Sequence, residues 1–308
     1  MDSSHLPRFA RSGKIGAIQL TSRDRQIIQL VYRHRFVRSN QIADVIHSAS
    51  QPLVRRLQRL FHHGYLERPR AQLDYYHQGG SRHIVYGLGN KGARLLSHEL
   101  GIPFGKIRWS EKNRSVGRVL LEHTLLVSDF MINLEKACQE NGSVRLVNAE
   151  EFTLPQRTSQ SSQPFRWRVK IEGDVQLGII PDKVFALEYS DRVGGLSRTY
   201  FLLEADRGTM PIVRRSLSQT SIRRKLLAYE ATWSQAIHSD RFGFHRFRVL
   251  TITPKPKRLK SLIEACSGLR TGHGLFLFAN WTGSKQPLDI FAAIWHSAKH
   301  GISTSLLN

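Results

Sequence analysis

Residues 21–100 contain three stretches of helical periodicity followed by two β-prone runs. In each helical stretch, apolar residues recur three and four positions apart, which gives an α-helix one buried face. The first two stretches follow side chains that can accept a hydrogen bond from a helix N-terminus. These candidate N-caps are Thr21 or Ser22, and Ser39 or Asn40. A third helix begins near Ser50, with Pro52 in its first turn, where the missing N–H removes no hydrogen bond.

The third helix, QPLVRRLQRLFHHGYL, separates apolar from polar positions. A step of about 100° per residue places these apolar side chains on one arc: Leu53, Val54, Leu57, Leu60 and Phe61. The opposite side is cationic and offers hydrogen-bonding groups at Arg55, Gln58, Arg59 and His62. The helix therefore has one face for packing and one face for a polar or anionic partner.

The segment after the third helix predicts a hairpin. Gly64 ends the helix, and the runs YLERPRAQLDYY and HIVYGLG are β-prone, with HQGGSR between them. This is the order of a winged helix-turn-helix, in which the third helix enters the major groove and the wing follows the backbone. We therefore predict contacts to double-stranded DNA from these side chains: Arg55, Arg56, Gln58, Arg59, His62 and, in the wing, Arg82. The alternative interpretation is that the arginines only form a solvated face. A further helix starting in GNKGARLL either links to the next domain or pairs with a second copy of the chain.

From about residue 115 the pattern changes to mixed helices and strands. A long amphipathic helix precedes a polar loop at 155–166, two short strands around Pro181 and Asp182, and a third strand in RTYFLLEAD. A helix over about 217–236 and the strand FRVLTIT follow, with one more helix and strand behind them. The order is α-β-β-β-α-β, which predicts a central sheet with helices packed on it. The predicted fold is therefore α+β: a flexible N-terminus (1–20), a winged helix-turn-helix domain (21–110) and an α/β domain (111–308).

Charge and cysteine content restrict the class of protein. Lys and Arg outnumber Asp and Glu 46 to 24, a formal net charge of +22. A folded protein with that field attracts polyanions, of which nucleic acid is the commonest. The two cysteines, Cys138 and Cys266, have neither disulfide-framework nor zinc-site spacing. The chain has no signal-peptide pattern and no apolar run of transmembrane length. We expect a cytoplasmic protein without membrane contact.

Two acidic residues end the strand TYFLLEAD. Side chains two apart on a strand share a face, so Glu204 and Asp206 repel one another unless a metal ion, a basic side chain or a partner chain neutralises them. Neighbouring strand ends can bring Asp182 to Glu204, and three carboxylates form the all-oxygen site that suits Mg²⁺ or Mn²⁺. Lys225, on the next helix, could stabilise the charge on a phosphate. The alternative is a structural ion-pair network with Arg207, Arg214 or Arg215.

The pattern PDK…FLLEADRGT…RRKLLAYE, with the helix-turn-helix before it, resembles the replication-relaxation family of bacterial plasmids and integrative elements. The resemblance covers roughly residues 21–255 and implies a second domain related to the PD-(D/E)xK nucleases. It makes Pro181-Asp182 the PD element and Glu204 the first acid of the second element. Asp206 stands where that element has Lys, and Lys225 is placed to substitute for it. The implied catalytic residues are Asp182, Glu204, Asp206 and Lys225, with the three acids as metal ligands.

Family members in conjugative transfer are similar to relaxases that nick at a transfer origin. The resemblance therefore implies that the protein recognises an origin on a plasmid or mobile element and nicks or cleaves DNA with Mg²⁺ or Mn²⁺. Double-stranded DNA, transfer or replication proteins and a second copy of the chain are its expected partners. The alternatives are a non-catalytic DNA-binding accessory protein with a degenerate nuclease domain, and a transcriptional regulator.

Overall fold

A computed structural model describes residues 7–13, 16–73, 83–171, 175–190, 195–282, 290–291, 295–298 and 303–307. The chain forms two compact units, the first ending at Ile132 and the second starting at Asn133. Ile132 and Asn133 both belong to the long helix Arg118–Asn141, so the boundary between the units lies within a helix. Each unit combines helices with β-structure, and the second contains a large mixed sheet.

The first unit consists mainly of helices with three short strands. Its helices are α1 (Ser22–His34), α2 (Ser39–Ile46), α3 (Ser50–His62), α4 (Asn90–Leu100), α5 (Phe104–Ile107), α6 (Ser110–Arg114) and the first part of α7 (Arg118–Asn141). Its strands are β1 (Phe36–Arg38), β2 (Leu66–Glu67) and β3 (Val85–Leu88). They form an antiparallel sheet in the order β1-β3-β2. The predicted turn HQGGSR lies outside the described residues.

Helix ends in the first unit follow from local chemistry. Thr21 caps α1 through a reciprocal pair of contacts: its hydroxyl accepts from the Asp24 N–H, and the Asp24 carboxylate accepts from the Thr21 N–H at 2.7 Å. The predicted caps of α2 are wrong, because Arg38 occupies the N-cap position and donates its N–H to the Gln41 side chain at 2.8 Å. Gly64 follows α3 with φ of 83°, as expected for a residue that ends a helix.

The core of the first unit lies between α1, α3 and the small sheet. Apolar side chains of all three contribute, and the largest buried ones include Phe61 and Tyr86. Phe36 packs in a separate cluster with Val85 and Leu121. Val54 is an exception to the predicted packing arc, since it is 43% exposed. It lies at the edge of the arc, where a helical wheel separates packed from exposed positions poorly.

The second unit is built on strands that a few helices cover. Its strands are β4 (Val144–Asn148), β5 (Trp167–Lys170), β6 (Gln176–Ile179), β7 (Lys183–Ser190), β8 (Leu196–Ala205), β9 (Phe247–Thr253), β10 (Phe276–Asn280), β11 (Trp295–Ser297) and β12 (Ser303–Thr304). Its helices after α7 are α8 (Gln156–Ser159), α9 (Ile222–Ser234), α10 (Ile237–Phe242) and α11 (Pro256–Ser267).

Within the described residues, the large sheet has the order β12-β11-β10-β9-β8-β7-β4. Strands β8, β9 and β10 are parallel and the other neighbours are antiparallel. The predicted strand before Pro181 is present as β6, but it pairs with β5 in a separate two-stranded sheet. The first strand of the large sheet is instead β4, which the hydrophobic pattern missed because only two of its five residues are buried.

One hydrophobic core of the second unit lies on the face of the large sheet covered by α9 and α11. Alternate residues of β8 and β9, such as Leu202 and Val249, pack there with Leu226 and Leu262 from the helices. Ser221 caps α9, so the helix starts five residues later than the predicted position 217. Among the described residues, no helix is both long and apolar enough to span a bilayer.

Candidate functional site

Antiparallel pairing brings Asp182 beside Glu204. Lys183, the first residue of β7, pairs with Leu203 near the end of β8, so the residues just outside that pair share one edge of the sheet. The Asp182 N–H donates to the Leu203 carbonyl at 3.0 Å, and Asp182 Oδ2 accepts from the Ala205 N–H at 2.8 Å. The predicted approach of these two acids is therefore present, and backbone contacts hold Asp182 there.

Both carboxylate oxygens of Glu204 accept hydrogen bonds from α9. Lys225 Nζ lies 2.5 Å from Oε2, and the Tyr229 hydroxyl lies 2.5 Å from Oε1. The two donors are four residues apart, so they project from one side of the helix. Glu204 is only 6% exposed, which makes these donors essential to its burial as an anion.

Asp206 has a different set of partners. Its Oδ2 accepts from Arg258 Nε at 2.5 Å, and its Oδ1 accepts from the Gly208 N–H at 2.9 Å. Arg258, in the first turn of α11, also donates to the Met210 carbonyl. Gly208 has φ of 75°, a conformation that a side chain would strain. Asp206 thus joins the end of β8 to α11 and to the turn that follows the strand.

The charges of this cluster shift one another's protonation. Burial raises the pKa of the Glu204 carboxyl, and the positive charge of Lys225 opposes that shift. Burial works to lower the pKa of the Lys225 ammonium, but the charges of Glu204 and Asp182 outweigh it and raise that pKa. Burial beside Glu204 also raises the pKa of Tyr229 well above its usual value. Lys225 is therefore a cation and Tyr229 a hydrogen-bond donor at neutral pH.

A cavity of about 40 Å³ adjoins Glu204, Asp206 and Lys225. Apolar side chains from the sheet and from α9 and α11 complete its wall. A cavity of this volume has room for roughly one or two water molecules. Within the described ranges, no three His, Cys, Asp or Glu side chains form a group arranged to hold a metal ion.

The two acids of TYFLLEAD are thus neutralised by basic side chains, as one of the alternatives anticipates, but with different partners. The expected partners were Arg207, Arg214 or Arg215, whereas the ion pairs join Glu204 to Lys225 and Asp206 to Arg258. Arg258 lies 52 positions from Asp206, so no local pattern pairs them. Its only sequence signal is the basic segment TPKPKRLK beside a strand end.

The predicted DNA-contacting face of α3 is only partly exposed. Arg55 is exposed and Gln58 half-buried. Arg59 is exposed and donates to the Ala17 carbonyl at 3.0 Å. Arg56 instead pairs with Asp24, whose side chain is buried, and Arg56 also donates to the Gln19 carbonyl. Arg82 lies outside the described residues.

His62 is buried rather than on the exposed face that a helical wheel predicts, because the N-terminal segment crosses it. The Ser12 N–H donates to His62 Nδ1 at 3.2 Å. Arg11 donates to the carbonyls of Phe61 and Leu66 and pairs with Glu67. Arg11 and Ser12 therefore contact the C-terminal half of α3, whereas Arg55 in the N-terminal half is exposed. No sequence pattern predicts these contacts.

A comparison with protein-family profiles identifies the chain. The replication-relaxation profile matches residues 28–246, more than half of the sequence. The chain belongs to the replication-relaxation family. No curated protein and no solved structure matches it.

The match places the site within the family's shared region. Residues 28–246 of this replication-relaxation protein include α3, Asp182, Glu204 and Lys225, whereas Arg258 and the segment 7–20 lie outside the matched range. Family membership points to a role in the replication or relaxation of a plasmid or mobile element.

Proposed function

We propose that this replication-relaxation protein binds double-stranded DNA of a plasmid or mobile element through α3, with the first unit acting as a winged helix-turn-helix. The order α1-β1-α2-α3-β2-β3 and the antiparallel β1-β3-β2 sheet support this domain type. The single observation that carries the proposal is the exposure of the Arg55 guanidinium on α3. Its neighbour Val54 is also exposed, whereas Leu53 is buried and anchors the helix in the core.

This geometry gives α3 the two kinds of contact that groove binding requires. Arg55 and Arg59 can pair with phosphates or with guanine, and Gln58 can bond to adenine. Val54 presents an apolar group that suits a thymine methyl. The net charge of +22 adds a long-range attraction to the DNA backbone.

The test is fluorescence anisotropy with a labelled duplex carrying the element's own origin, at several salt concentrations. Arg55→Ala should weaken binding and lower the salt slope by about 1. Lys112→Ala is the matched control, because it removes an exposed charge from α6. Equal affinities of the Arg55→Ala variant and the wild type for the origin would overturn the proposal.

A second candidate function is DNA nicking by the second unit, as a PD-(D/E)xK-like domain with Asp182, Glu204 and Lys225 at its site. The observation in its favour is their convergence: Asp182 and Glu204 share one sheet edge, and Lys225 contacts Glu204. The core order α7-β4-β7-β8-α9-β9 also supports this domain type.

Mg²⁺ or Mn²⁺ is the expected cofactor of such a site. Mg²⁺ is commonly held by one or two carboxylates together with water and substrate phosphates, and Asp182 and Glu204 supply that number. Both oxygens of Asp206 already accept hydrogen bonds, from Arg258 and Gly208. Both oxygens of Glu204 also accept, from Lys225 and Tyr229, so an ion at either acid would replace one of these donors. A divalent ion would supply polarisation of a phosphate. Lys225 would contribute a positive charge beside that phosphate, and Tyr229 would orient Glu204.

Nicking is tested by incubating supercoiled plasmid that carries the origin with Mg²⁺ or Mn²⁺ and following its conversion to open circles. Asp182→Asn should abolish conversion and preserve duplex binding, whereas Glu150→Gln, an exposed acid outside the cluster, should change neither. Duplex binding by the wild type without conversion under either metal would instead favour the non-catalytic accessory function.

A further inference from the structure

A second cavity, of about 230 Å³, lies at the opposite edge of the large sheet from the acidic cluster. The cluster follows the end of β8, whereas this cavity is lined by Thr199, near the start of β8, and by Arg248, near the start of the parallel strand β9. It belongs wholly to the second unit and shares no lining residue with the first cavity.

Two guanidinium groups line this cavity. Arg246 is exposed and directly precedes β9, while Arg248 is half-buried within the strand. Burial lowers the pKa of Arg248, and Tyr189 and Arg246 act on it in opposite directions, the like charge of Arg246 lowering it further. An anion bound between the two arginines would offset both the burial and the repulsion.

An exposed aromatic ring completes the wall. Trp233, in the last turn of α9, is 40% exposed and stacks on His238 with ring centroids 4.8 Å apart. On the far side, the Tyr189 and Thr199 hydroxyls lie 3.3 Å apart and can donate or accept. An indole beside two arginines is the combination that proteins use to bind single-stranded nucleic acid, through base stacking and phosphate contacts.

We propose that this cavity binds one nucleotide of a DNA single strand, with its phosphate between Arg246 and Arg248 and its base against Trp233. The cavity is smaller than the pockets of roughly 300 Å³ or more that enclose drug-sized ligands, so it encloses part of the nucleotide and leaves the rest of the strand outside. The inference deepens the proposed function, on which it rests, because it gives the second unit its own contact with unpaired DNA. Relaxation or replication at an origin exposes such strands.

The experiment measures anisotropy of a labelled thymidine dodecamer with the full chain. Trp233→Leu should raise the Kd about tenfold, the loss of one stacked base, and Arg246→Gln should raise it roughly threefold. Arg157→Gln, which removes an exposed charge elsewhere in the same unit, should leave it unchanged. Circular dichroism checks that each variant folds. If Trp233→Leu does not fold, Arg246→Gln still tests the site, because it changes only an exposed side chain.

Parallel measurements separate this site from the duplex site and identify the source of the nucleotide. Arg55→Ala should weaken duplex binding and leave dodecamer binding unchanged. Arg246→Gln should weaken dodecamer binding and leave duplex binding unchanged. Free thymidine monophosphate that displaces the dodecamer at equal concentration would assign the cavity to free nucleotides, whereas displacement only at large excess supports a strand. Unchanged dodecamer affinity in both cavity variants would overturn the proposal, even if duplex binding through α3 stands.

Discussion

The polar face of α3 and the acidic cluster at the end of β8 both carry charges that their sequences mark as functional, yet they differ in burial. On α3, Arg55 is exposed and only Arg56 is held by a buried acid, Asp24. At β8, Glu204 is 6% exposed and both its oxygens accept from the protein. One region keeps a charge available to solvent, and the other engages its charge internally.

Because of this difference, the exposed arginine can bind a new partner at a lower free-energy cost than the buried carboxylate can. An exposed arginine exchanges water for a phosphate at little cost, since surface ion pairs contribute about 0–1 kcal/mol. A buried carboxylate that loses its cation is left uncompensated, which costs several kcal/mol unless another cation replaces it. Binding at α3 therefore requires no internal rearrangement, whereas a ligand at Glu204 has to replace Lys225.

The largest effect is expected for Lys225→Ala. It leaves the buried Glu204 with only Tyr229 as donor, so the free energy of unfolding should fall by about 3 kcal/mol, the low end for a broken buried pair, because Lys225 is 33% exposed. Urea denaturation gives the value. Arg223→Ala, on the same helix but exposed, should stay within about 0.5 kcal/mol.

Adding Glu204→Gln to Lys225→Ala should recover part of the lost stability, because it removes the uncompensated charge. A Lys225→Ala protein as stable as the wild type would show that Glu204 is not held by this ion pair, and the contrast with α3 would disappear.

A smaller effect is expected for Arg56→Ala. Asp24 keeps the Thr21 N–H and hydroxyl as donors, so the free energy of unfolding should fall by about 2 kcal/mol. The neighbouring Arg55→Ala should change it by less than about 0.5 kcal/mol, although we expect it to weaken duplex binding. Urea denaturation and anisotropy on the same two variants test this. Equal stability losses would mean that α3 does not divide its arginines between structure and binding.

Tyr229→Phe should have a lesser effect still. It removes the hydroxyl that donates to Glu204 and leaves Lys225 in place, so we expect a loss of about 1.5 kcal/mol. Thermal unfolding followed by circular dichroism measures it. A loss as large as that of Lys225→Ala would contradict the order of importance of the two donors.

The smallest effect is a difference in pH dependence. Burial raises the pKa of Asp24, but the hydrogen bonds from Arg56 and Thr21 outweigh it, and the net pKa lies below 3.8. The stability advantage of the wild type over Asp24→Asn is therefore present above about pH 4 and lost as the pH falls through the folded value. The pKa of Glu204 lies above 4.5. The advantage over Glu204→Gln is thus largest below that pH and shrinks as the pH rises.

Urea denaturation between about pH 3 and 7 gives the free energy of unfolding of the wild type and of both variants. The stability advantage of the wild type should rise with pH relative to Asp24→Asn and fall with pH relative to Glu204→Gln. Slopes of the same sign would show that one of the two carboxyls lies in a different environment from that described.

Local pattern was sufficient where an element depends on its own residues. The spacing of apolar side chains predicts α1, α2 and α3, and the order of strands and turns predicts β7, β8 and β9, because helix and strand periodicity are short-range properties. The proximity of Asp182 and Glu204 was also predictable from the sequence, since a turn near Asp182 and a strand that ends at Glu204 place both residues at one edge of the sheet.

Long-range pairing was not predictable from such patterns. The insertion of β4 into the large sheet and the choice of Arg258 for Asp206 each join residues that are distant in the chain. The contact of Ser12 with His62 was not predictable either, because the N-terminal segment has neither helix nor strand periodicity.

The amino-acid sequence alone determined the longer helices and the central strands of this replication-relaxation protein, its strong positive charge and the identity of the acids at one sheet edge. Only the tertiary structure decided which charges remain exposed and which are neutralised within the protein. The reason is physical: periodicity depends on neighbours along the chain, whereas desolvation and ion pairing depend on whatever side chains folding brings within a few ångströms.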